Sequence, residues 1–197
     1  MTNEEIKKLF AERIPVFDGA TGTYLQTFGL KDSDFGGYEG LNEMLCLTKP
    51  DAIRRVHEDY LAAGADFVET NTFGSNAAVL AEYGLEGRVR ELNLAAVKLA
   101  REAADKYSMP QRRRYVAGSV GPTNKALFVT GGLSFDELSA IYLEQIKAMI
   151  DGGADLLLLE TAHDTLNLKA GLSAVRRAFG ATGRELPVIV SATMDER

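Results

Sequence analysis

Short apolar runs alternate along this chain with longer segments in which apolar residues recur at every third or fourth position. The short runs have the length of buried strands, and the longer segments have the periodicity of amphipathic helices. The pattern therefore predicts parallel strands separated by helices. The predicted strands are residues 16–17, 67–71, 115–120, 156–159 and 187–191, and the predicted helices are residues 2–12, a helix from Thr48 onward, 75–83, 88–106, 134–151 and 165–179.

One arrangement of residues occurs twice, at 64–70 and at 153–161. In both copies a predicted helix ends at a Gly-Ala-Asp turn, an apolar strand follows, and the strand ends in Glu-Thr. The second strand is longer by two residues, which preserves the alternation of side chains, so we expect Glu69 and Glu160 to face the same side. Since α/β folds place ligands at the carboxyl ends of parallel strands, the pair predicts a binding site there. The alternative interpretation of the repeat is that all βα units resemble one another. That interpretation explains the Glu-Thr pairs at the strand ends less well.

Residues 24–48 form a long connection that shows no clear periodicity and contains four glycines. A loop of this length within a compact domain is usually functional or mobile. We expect Asn42, which lies in this connection, to be near the strand ends.

Three features that often carry chemistry have simpler interpretations here. Cys46 lies between two leucines, so a packed and unreactive thiol is expected. His57 falls on the apolar face of its predicted helix, which favours a packing role over metal binding. The arginine run at 112–114 precedes a predicted strand and is interpreted as a solvated turn.

Composition is that of an ordinary globular domain, with 46% hydrophobic and 25% charged residues. The net charge of −6 offers no basic field for nucleic acid. No apolar run approaches the ~20 residues that cross a bilayer, and the polar N-terminus lacks a signal-peptide core, so no membrane association is expected. A single cysteine excludes an internal disulfide and suits the reducing cytoplasm, where we expect the protein to be located.

Two α/β architectures fit the predicted order of elements, a doubly wound sheet and a TIM barrel. The barrel is favoured because the first strand lacks a dinucleotide-binding glycine motif and because polar residues end every predicted strand. A full barrel has eight strands and about 250 residues. We therefore expect residues 1–197 to be the N-terminal part of a (β/α)8 barrel, truncated after about five βα units, with two exposed sheet edges.

The strand-end motifs at 16–23, 65–73, 118–124 and 158–167 together resemble the homocysteine S-methyltransferase family. The closest resemblance is to the homocysteine-binding barrels of cobalamin-dependent methionine synthases, and it covers residues 10–197. It implies a TIM barrel that takes part in methyl transfer to the sulfur of L-homocysteine, giving methionine. The implied donor is methylcobalamin, recharged from methyltetrahydrofolate by other modules of the same polypeptide, whereas related enzymes use betaine.

The resemblance also implies roles for individual residues at the strand ends. Asp18 and Gly19 would hold the amino-acid end of homocysteine, with Thr70 beside it and Glu160 facing the ammonium. Carboxylates suit an ammonium, and the backbone of Gly19 and Ala20 with the hydroxyl of Thr70 suits a carboxylate. A strand-end cap or turn is the alternative role for each. Further polar residues are expected around them, namely Glu69, Asn71, Ser119, Asn124 and Asp164.

The sequence departs from the family in its metal chemistry. The family activates the homocysteine thiol on zinc held by three cysteines, and Cys46 matches none of them. His57 and His163 lie at unrelated spacings, so no metal site is predicted in this chain and the family's cysteine ligands are expected beyond Arg197. We therefore expect the 197 residues to be inactive in methyl transfer on their own.

Two further hypotheses stay open. One is a stand-alone, cobalamin-independent homocysteine S-methyltransferase. The other is a non-catalytic amino-acid-binding or assembly fragment that a second chain completes.

Overall fold

The computed structural model of the protein describes residues 1–124 and 132–194, in which helices alternate with the strands of one parallel sheet. The strands are β1 (Phe67–Glu69), β2 (Tyr115–Val120), β3 (Leu156–Ala162) and β4 (Val188–Ala192). The helices are α1 (Asn3–Glu12), α2 (Thr21–Gln26), α3 (Leu45–Thr48), α4 (Pro50–Ala63), α5 (Ala77–Leu80), α6 (Val89–Tyr107), α7 (Phe135–Gly152) and α8 (Thr165–Thr182). No helix within these ranges has the length and apolar character that crossing a membrane requires.

The strands lie in the sheet in chain order, β1-β2-β3-β4, and every neighbouring pair is parallel. The predicted first strand is reduced to a single parallel bridge between Phe17 and Phe67. Its backbone continues the ladder, since the Asp18 N–H donates to the Phe67 carbonyl at 3.0 Å. The predicted parallel α/β fold is therefore confirmed. Within the described ranges β4 pairs only with β3, so the closed barrel and its truncation stay predictions.

The two faces of the sheet bury different sets of side chains. One face packs against α6, α7 and α8 in the main core, and Val68, Val116 and Leu157 point into it. The other face carries Phe67 and Leu156, which alternate with them along the strands as the pleat requires. In the predicted barrel this second face would form the interior, and in this structure the apolar side chains of α1 cover part of it.

Helix ends follow local signals in the sequence. Thr2 and Ser134 form capping boxes with Glu5 and Glu137, which satisfy the free backbone N–H groups that begin α1 and α7. Gly64 ends α4 in the left-handed region, with φ of 115°, and the glycine at the matching position of the repeat ends α7. Both Gly-Ala-Asp turns are therefore helix C-caps that lead into a strand.

The aspartates of the two Gly-Ala-Asp turns are buried ionic anchors. Asp66 is 0% exposed and receives two guanidinium nitrogens of Arg13, at 2.5 and 2.8 Å. Asp155 accepts Arg101 at 2.5 Å and the Val116 backbone N–H at 2.9 Å. Each aspartate thus joins the amino end of a strand to a neighbouring segment.

The interpretation of the arginine run as a solvated turn is wrong for Arg114 and incomplete for Arg112 and Arg113, whose side chains are 40% and 56% exposed but form ion pairs. Arg112 and Arg114 contact Asp66 at 3.0 and 3.3 Å, and Arg113 contacts Asp155 at 3.2 Å. Arg114 is only 5% exposed. A carboxylate removed from water requires such partners, because an unpaired ion in the interior is costly.

The connection at 24–48 is also more ordered than the sequence predicts. It contains part of α2, all of α3, and 3-10 turns at Asp32–Phe35 and Asn42–Met44. Thr48, at which a helix is predicted to begin, instead ends α3 and donates to the Met44 carbonyl at 3.0 Å. Lys49 takes the cap position of α4, with Pro50 in the first turn.

Candidate functional site

A cleft of about 830 Å³ lies at the carboxyl ends of the strands. Its walls include the loop after the first predicted strand, the ends of β1, β2 and β3, and part of the 24–48 connection. The predicted site residues that line it are Asp18, Gly19, Ala20, Thr70, Glu160, Glu69, Asn71, Ser119 and Asn124. The fold therefore brings together residues from four separate βα units, as expected where parallel strands end at one edge.

Asp18 is held against β1 by the backbone of the neighbouring strand. Both of its carboxylate oxygens accept the Glu69 N–H, at 3.1 and 3.0 Å. Burial raises the pKa of Asp18 to about 8, and the negative charges of Glu69 and Glu160 add to this effect against the opposing backbone hydrogen bonds. Below about pH 8, ionised Asp18 is therefore disfavoured unless a cation lies beside it.

Glu69 and Glu160 face the same cleft, as the spacing of the repeat predicts. Burial raises the pKa of Glu69 to about 7, and the charge of Glu160 contributes to the increase. Glu160 accepts a hydrogen bond from the Ser119 hydroxyl. Among the described residues that line the cleft there is no Lys, Arg or His. Three carboxylates without a basic partner suit a ligand that carries an ammonium group.

Gly19 and Ala20 present exposed backbone at the mouth of the cleft. A Cβ at Gly19 would lie 2.9 Å from the Tyr60 hydroxyl oxygen, so any side chain at this position would have to displace the ring of Tyr60 from α4. The Tyr60 hydroxyl also donates to the Ala20 carbonyl at 3.4 Å. This long contact links the turn at 19–20 to α4.

Thr70 lines the cleft but is only 3% exposed. Its hydroxyl oxygen accepts the Ser119 N–H at 3.0 Å and lies 2.6 Å from the Thr72 hydroxyl. The hydroxyl therefore has protein partners in this structure, and its predicted contact with a substrate carboxylate stays a prediction.

The outer predicted residues have differing positions. Asn71 donates to the Asn42 carbonyl at 2.8 Å, which joins the 24–48 connection to β1 and places Asn42 at the strand ends as expected. Asn124 donates to Glu82 across the cleft. Asp164 lies outside the cleft and caps α8, where it accepts the Leu166 and Asn167 N–H groups. Asp164 is therefore a helix N-cap in this structure, and its expected place around the substrate stays a prediction.

Sequence reasoning missed a network that holds the segment after β2. The Tyr142 hydroxyl of α7 donates to the Asn167 side-chain carbonyl at 2.5 Å and accepts the Thr123 N–H at 3.1 Å. The Asn167 amide donates to the Thr123 hydroxyl at 3.1 Å. Amphipathic spacing identifies Tyr142 as buried, but no local signal indicates which residues its hydroxyl contacts.

Glu43 is a second residue that the sequence analysis missed. It lines the cleft, and its carboxylate accepts the Gly74 N–H at 2.7 Å. Burial raises its pKa above the ordinary value. Its position in a connection without periodicity left no pattern by which to select it.

The described residues contain no group of three His, Cys, Asp or Glu side chains placed to bind a metal. Cys46 is buried, as predicted, and burial raises the pKa of its thiol to about 12. His57 is also buried, with its pKa lowered to about 4 by burial, although neither ring nitrogen has a partner among the described residues. These residues do not fit the zinc ligand set that the resemblance implies.

Comparison with known proteins gives consistent matches along the chain. The profile of the family described as homocysteine S-methyltransferase matches residues 15–197. The chain is 42% identical over 191 residues to a methionine synthase of Mycobacterium tuberculosis, a match that covers 97% of this chain and 16% of the relative.

Solved structures show the same relationship. The homocysteine methyltransferase MmuM from Escherichia coli, in its oxidised form, matches with a TM-score of 0.78 and 27% identity, covering 97% of this chain and 66% of that chain. Its metallated form matches with a TM-score of 0.77 and 28% identity, covering 97% and 67%. The chain thus spans a small part of the curated relative and about two thirds of the solved one.

Proposed function

Because the chain belongs to the homocysteine S-methyltransferase family, we propose that its cleft holds the amino-acid end of L-homocysteine during methyl transfer to the substrate sulfur. The main support is that Asp18, Glu69 and Glu160 line one cleft, and that the described residues around this cleft include no basic side chain. In this arrangement the substrate ammonium replaces the missing positive charge.

The role of these residues is to bind and orient the substrate. The ammonium lies between Asp18 and Glu160, and the α-carboxylate faces the exposed backbone of Gly19 and Ala20. Asp18 is fixed by the Glu69 N–H, and Glu160 is fixed by the Ser119 hydroxyl. Side chains held in this way contribute to the reaction by fixing the direction in which the sulfur points.

The described residues do not supply the group that would activate the homocysteine thiol, because they do not fit a metal site. The proposal for this chain is therefore confined to amino-acid recognition, and we expect the 197 residues to be inactive in methyl transfer by themselves. Zinc, methylcobalamin and methyltetrahydrofolate enter the proposal only through other parts of a larger, cytoplasmic methionine synthase. The 42% identity to a methionine synthase, of which the chain covers 16%, supports this assignment over a stand-alone enzyme.

Calorimetric titration of the purified protein tests the proposal. We expect homocysteine to bind, and Glu160→Gln and Asp18→Asn each to weaken binding by about tenfold or more, since each removes a charged partner of the ammonium. Binding of 4-mercaptobutanoate, which is homocysteine without its ammonium, should change little in either variant. The exposed Glu12→Gln on α1 is the matched control. A protein that binds no homocysteine, or a Glu160→Gln variant with unchanged affinity, would overturn the proposal.

An assembly module is the second candidate, and one surface favours it. A groove of about 390 Å³ between α1 and β4 is lined by Phe10, Phe17 and Ile189. Nearby Val16 and Val190 at the sheet edges are 54% and 42% exposed. Sedimentation of the purified protein separates the two candidates. An assembly module should form a discrete complex that covers the sheet edge at Val190, and Val190→Asp should then weaken the complex. A monomer that binds homocysteine supports the first proposal.

A further inference from the structure

Three residues beneath the cleft form a closed ring of hydrogen bonds. The Ser119 N–H donates to the Thr70 hydroxyl oxygen at 3.0 Å, and the Thr72 hydroxyl donates to the Ser119 carbonyl at 2.8 Å. The two threonine hydroxyl oxygens are 2.6 Å apart. The ring joins the chain just after β1 to the backbone N–H and the backbone carbonyl of Ser119 in β2.

The direction of each hydrogen bond in the ring follows from the number of hydrogens. A hydroxyl has one hydrogen, and that of Thr72 is already given to the Ser119 carbonyl. The contact between the two threonines therefore requires Thr70 to donate and Thr72 to accept. The ring runs from the Ser119 N–H through both hydroxyls to the Ser119 carbonyl, and no hydrogen within it is left free.

The ring continues to the carboxylate that faces the ligand. The side chain of Ser119 donates to Glu160 on β3. Thr70, Thr72 and Ser119 are 3%, 0% and 2% exposed, so water does not compete for these hydrogen bonds. The orientation of the Glu160 carboxylate thus depends on Ser119, whose backbone is held by the ring on one side and by the pairing of β2 with β3 on the other.

Helix α7 supports the ring from behind. Gln145 is 0% exposed, and its amide donates to the Thr72 carbonyl at 2.8 Å. The Ser75 N–H donates to the same carbonyl at 2.9 Å. The backbone of Thr72 is therefore held at two points while its hydroxyl reaches β2.

We propose that Thr72 is a positioning residue for the ammonium subsite, which acts through Ser119 on Glu160 without contacting the ligand. The inference rests on the proposed function, because it assigns Thr72 a part in holding the substrate ammonium. Loss of the Thr72 hydroxyl leaves Thr70 without an acceptor and the Ser119 carbonyl without its side-chain donor. The pairing of β2 with β3 still holds Ser119 in the sheet, but its N–H and carbonyl lose their ordered partners after β1, and the side chain that orients Glu160 is held less firmly.

The test compares two ligands that differ only in the ammonium. In calorimetric titrations of the purified protein, Thr72→Val should weaken binding of homocysteine about tenfold, the typical effect of misplacing a charge-assisted contact. Binding of 4-mercaptobutanoate should change by less than about twofold, because that ligand has no ammonium for Glu160 to contact. Thr72→Ser, which keeps the hydroxyl, should restore most of the selectivity.

A double-substitution cycle separates positioning from general destabilisation. Ser119→Ala removes the donor to Glu160 directly, so Thr72→Val combined with Ser119→Ala should weaken homocysteine binding little more than Ser119→Ala alone. Thr182→Val is the control, because among the described residues the Thr182 hydroxyl contacts the end of α8 and its turn alone: it lies within hydrogen-bonding distance of the Ala178 and Arg184 carbonyls and accepts the Arg184 N–H.

The outcomes distinguish the two proposals. If Thr72→Val weakens the binding of both ligands equally, or if the two substitutions have additive effects, the positioning role of Thr72 is overturned. The proposed function still stands in that case, provided that the unsubstituted protein binds homocysteine. No binding of homocysteine by the unsubstituted protein would overturn both.

Discussion

The carboxylate of Asp18 accepts the backbone N–H of Glu69 with both of its oxygens, at 3.1 and 3.0 Å. The same contact that positions Asp18 also places it beside the Glu69 side chain, whose charge helps to raise the Asp18 pKa to about 8. The geometry that prepares the site for a cation therefore destabilises it when no cation is present.

The first prediction concerns stability and pH. The pKa of Asp18 is raised from 3.8 to about 8 in the folded protein. The contribution of the protonated Asp18 carboxyl to the free energy of unfolding is therefore complete below about pH 4 and is lost as pH rises towards 8. The free energy of unfolding should fall by at most about 1.4 kcal/mol per pH unit in this range. Asp18→Asn should gain stability relative to the unsubstituted protein over this window. Thermal unfolding from pH 4 to pH 8.5 measures it, with the exposed Asp32→Asn as control, and a constant difference across the range would contradict the prediction.

The second prediction concerns ligand binding and pH. Protonated Asp18 and Glu69 do not attract an ammonium, and burial raises their pKa values to about 8 and about 7. Homocysteine affinity should therefore rise between about pH 6 and pH 8, by up to tenfold per pH unit for each proton released. Titrations at several pH values measure this, and 4-mercaptobutanoate, which has the thiol but no ammonium, should show no such rise. Parallel pH profiles for the two ligands would refute the explanation.

A third prediction concerns the buried anchor Asp66. Burial opposes ionisation of this carboxyl, but hydrogen bonds from Arg13, Val16 N–H and Arg112 outweigh it and lower the pKa to about 2. Its stabilisation is therefore present above about pH 4 and is lost as pH falls towards 2. Asp66→Asn should cost about 2–3 kcal/mol of unfolding free energy at pH 7, since a pKa lowered from 3.8 to about 2 corresponds to that much and the buried Arg114 loses its carboxylate partner.

Urea denaturation measures the cost of Asp66→Asn. The matched control is Asp51→Asn, because Asp51 forms an exposed pair with Arg54 one turn away on α4 and should contribute less than about 1 kcal/mol. Equal effects of the two substitutions would show that Asp66 is not an anchor.

The fourth prediction compares two glycines of α8. A Cβ at Gly180 would have no heavy atom within 4 Å, whereas one at Gly171 would lie 2.9 Å from a terminal methyl of Leu159. Gly180→Ala should raise the unfolding free energy by about 0.5–1 kcal/mol through helix propensity. Gly171→Ala should gain less or lose stability, because Leu159 on β3 has to move. Denaturant unfolding of both variants measures this, and an equal gain would show that Leu159 adapts without cost.

The fifth prediction concerns the thiol of Cys46. Its burial raises the pKa to about 12, and a buried neutral thiol reacts slowly with disulfide reagents. Labelling of the native protein should therefore proceed only as fast as local or global unfolding exposes the side chain. Rates measured across urea concentrations should follow the unfolding equilibrium. Rapid labelling in the absence of urea would contradict the buried position.

Much of the architecture follows from the sequence because it depends on local contacts. Strand β2 has the predicted bounds, and the helix predicted over 134–151 is α7, which begins at the capping box between Ser134 and Glu137. The two-residue offset between the repeats correctly places Glu69 and Glu160 in one cleft. Side-chain alternation in a strand and capping of a helix involve residues close in the chain, so the pattern alone determines them.

The partners of individual polar groups were decided by the tertiary structure. Arg112 reaches Asp66 across 46 positions of the chain, and the Thr70 hydroxyl meets the Ser119 N–H across 49. The sequence determined that polar side chains stand at the strand ends, but it leaves open whether each faces a ligand or another strand. That choice depends on which strands become neighbours and how far each extends, since a buried hydroxyl or carboxylate takes the partner that folding brings within hydrogen-bonding distance.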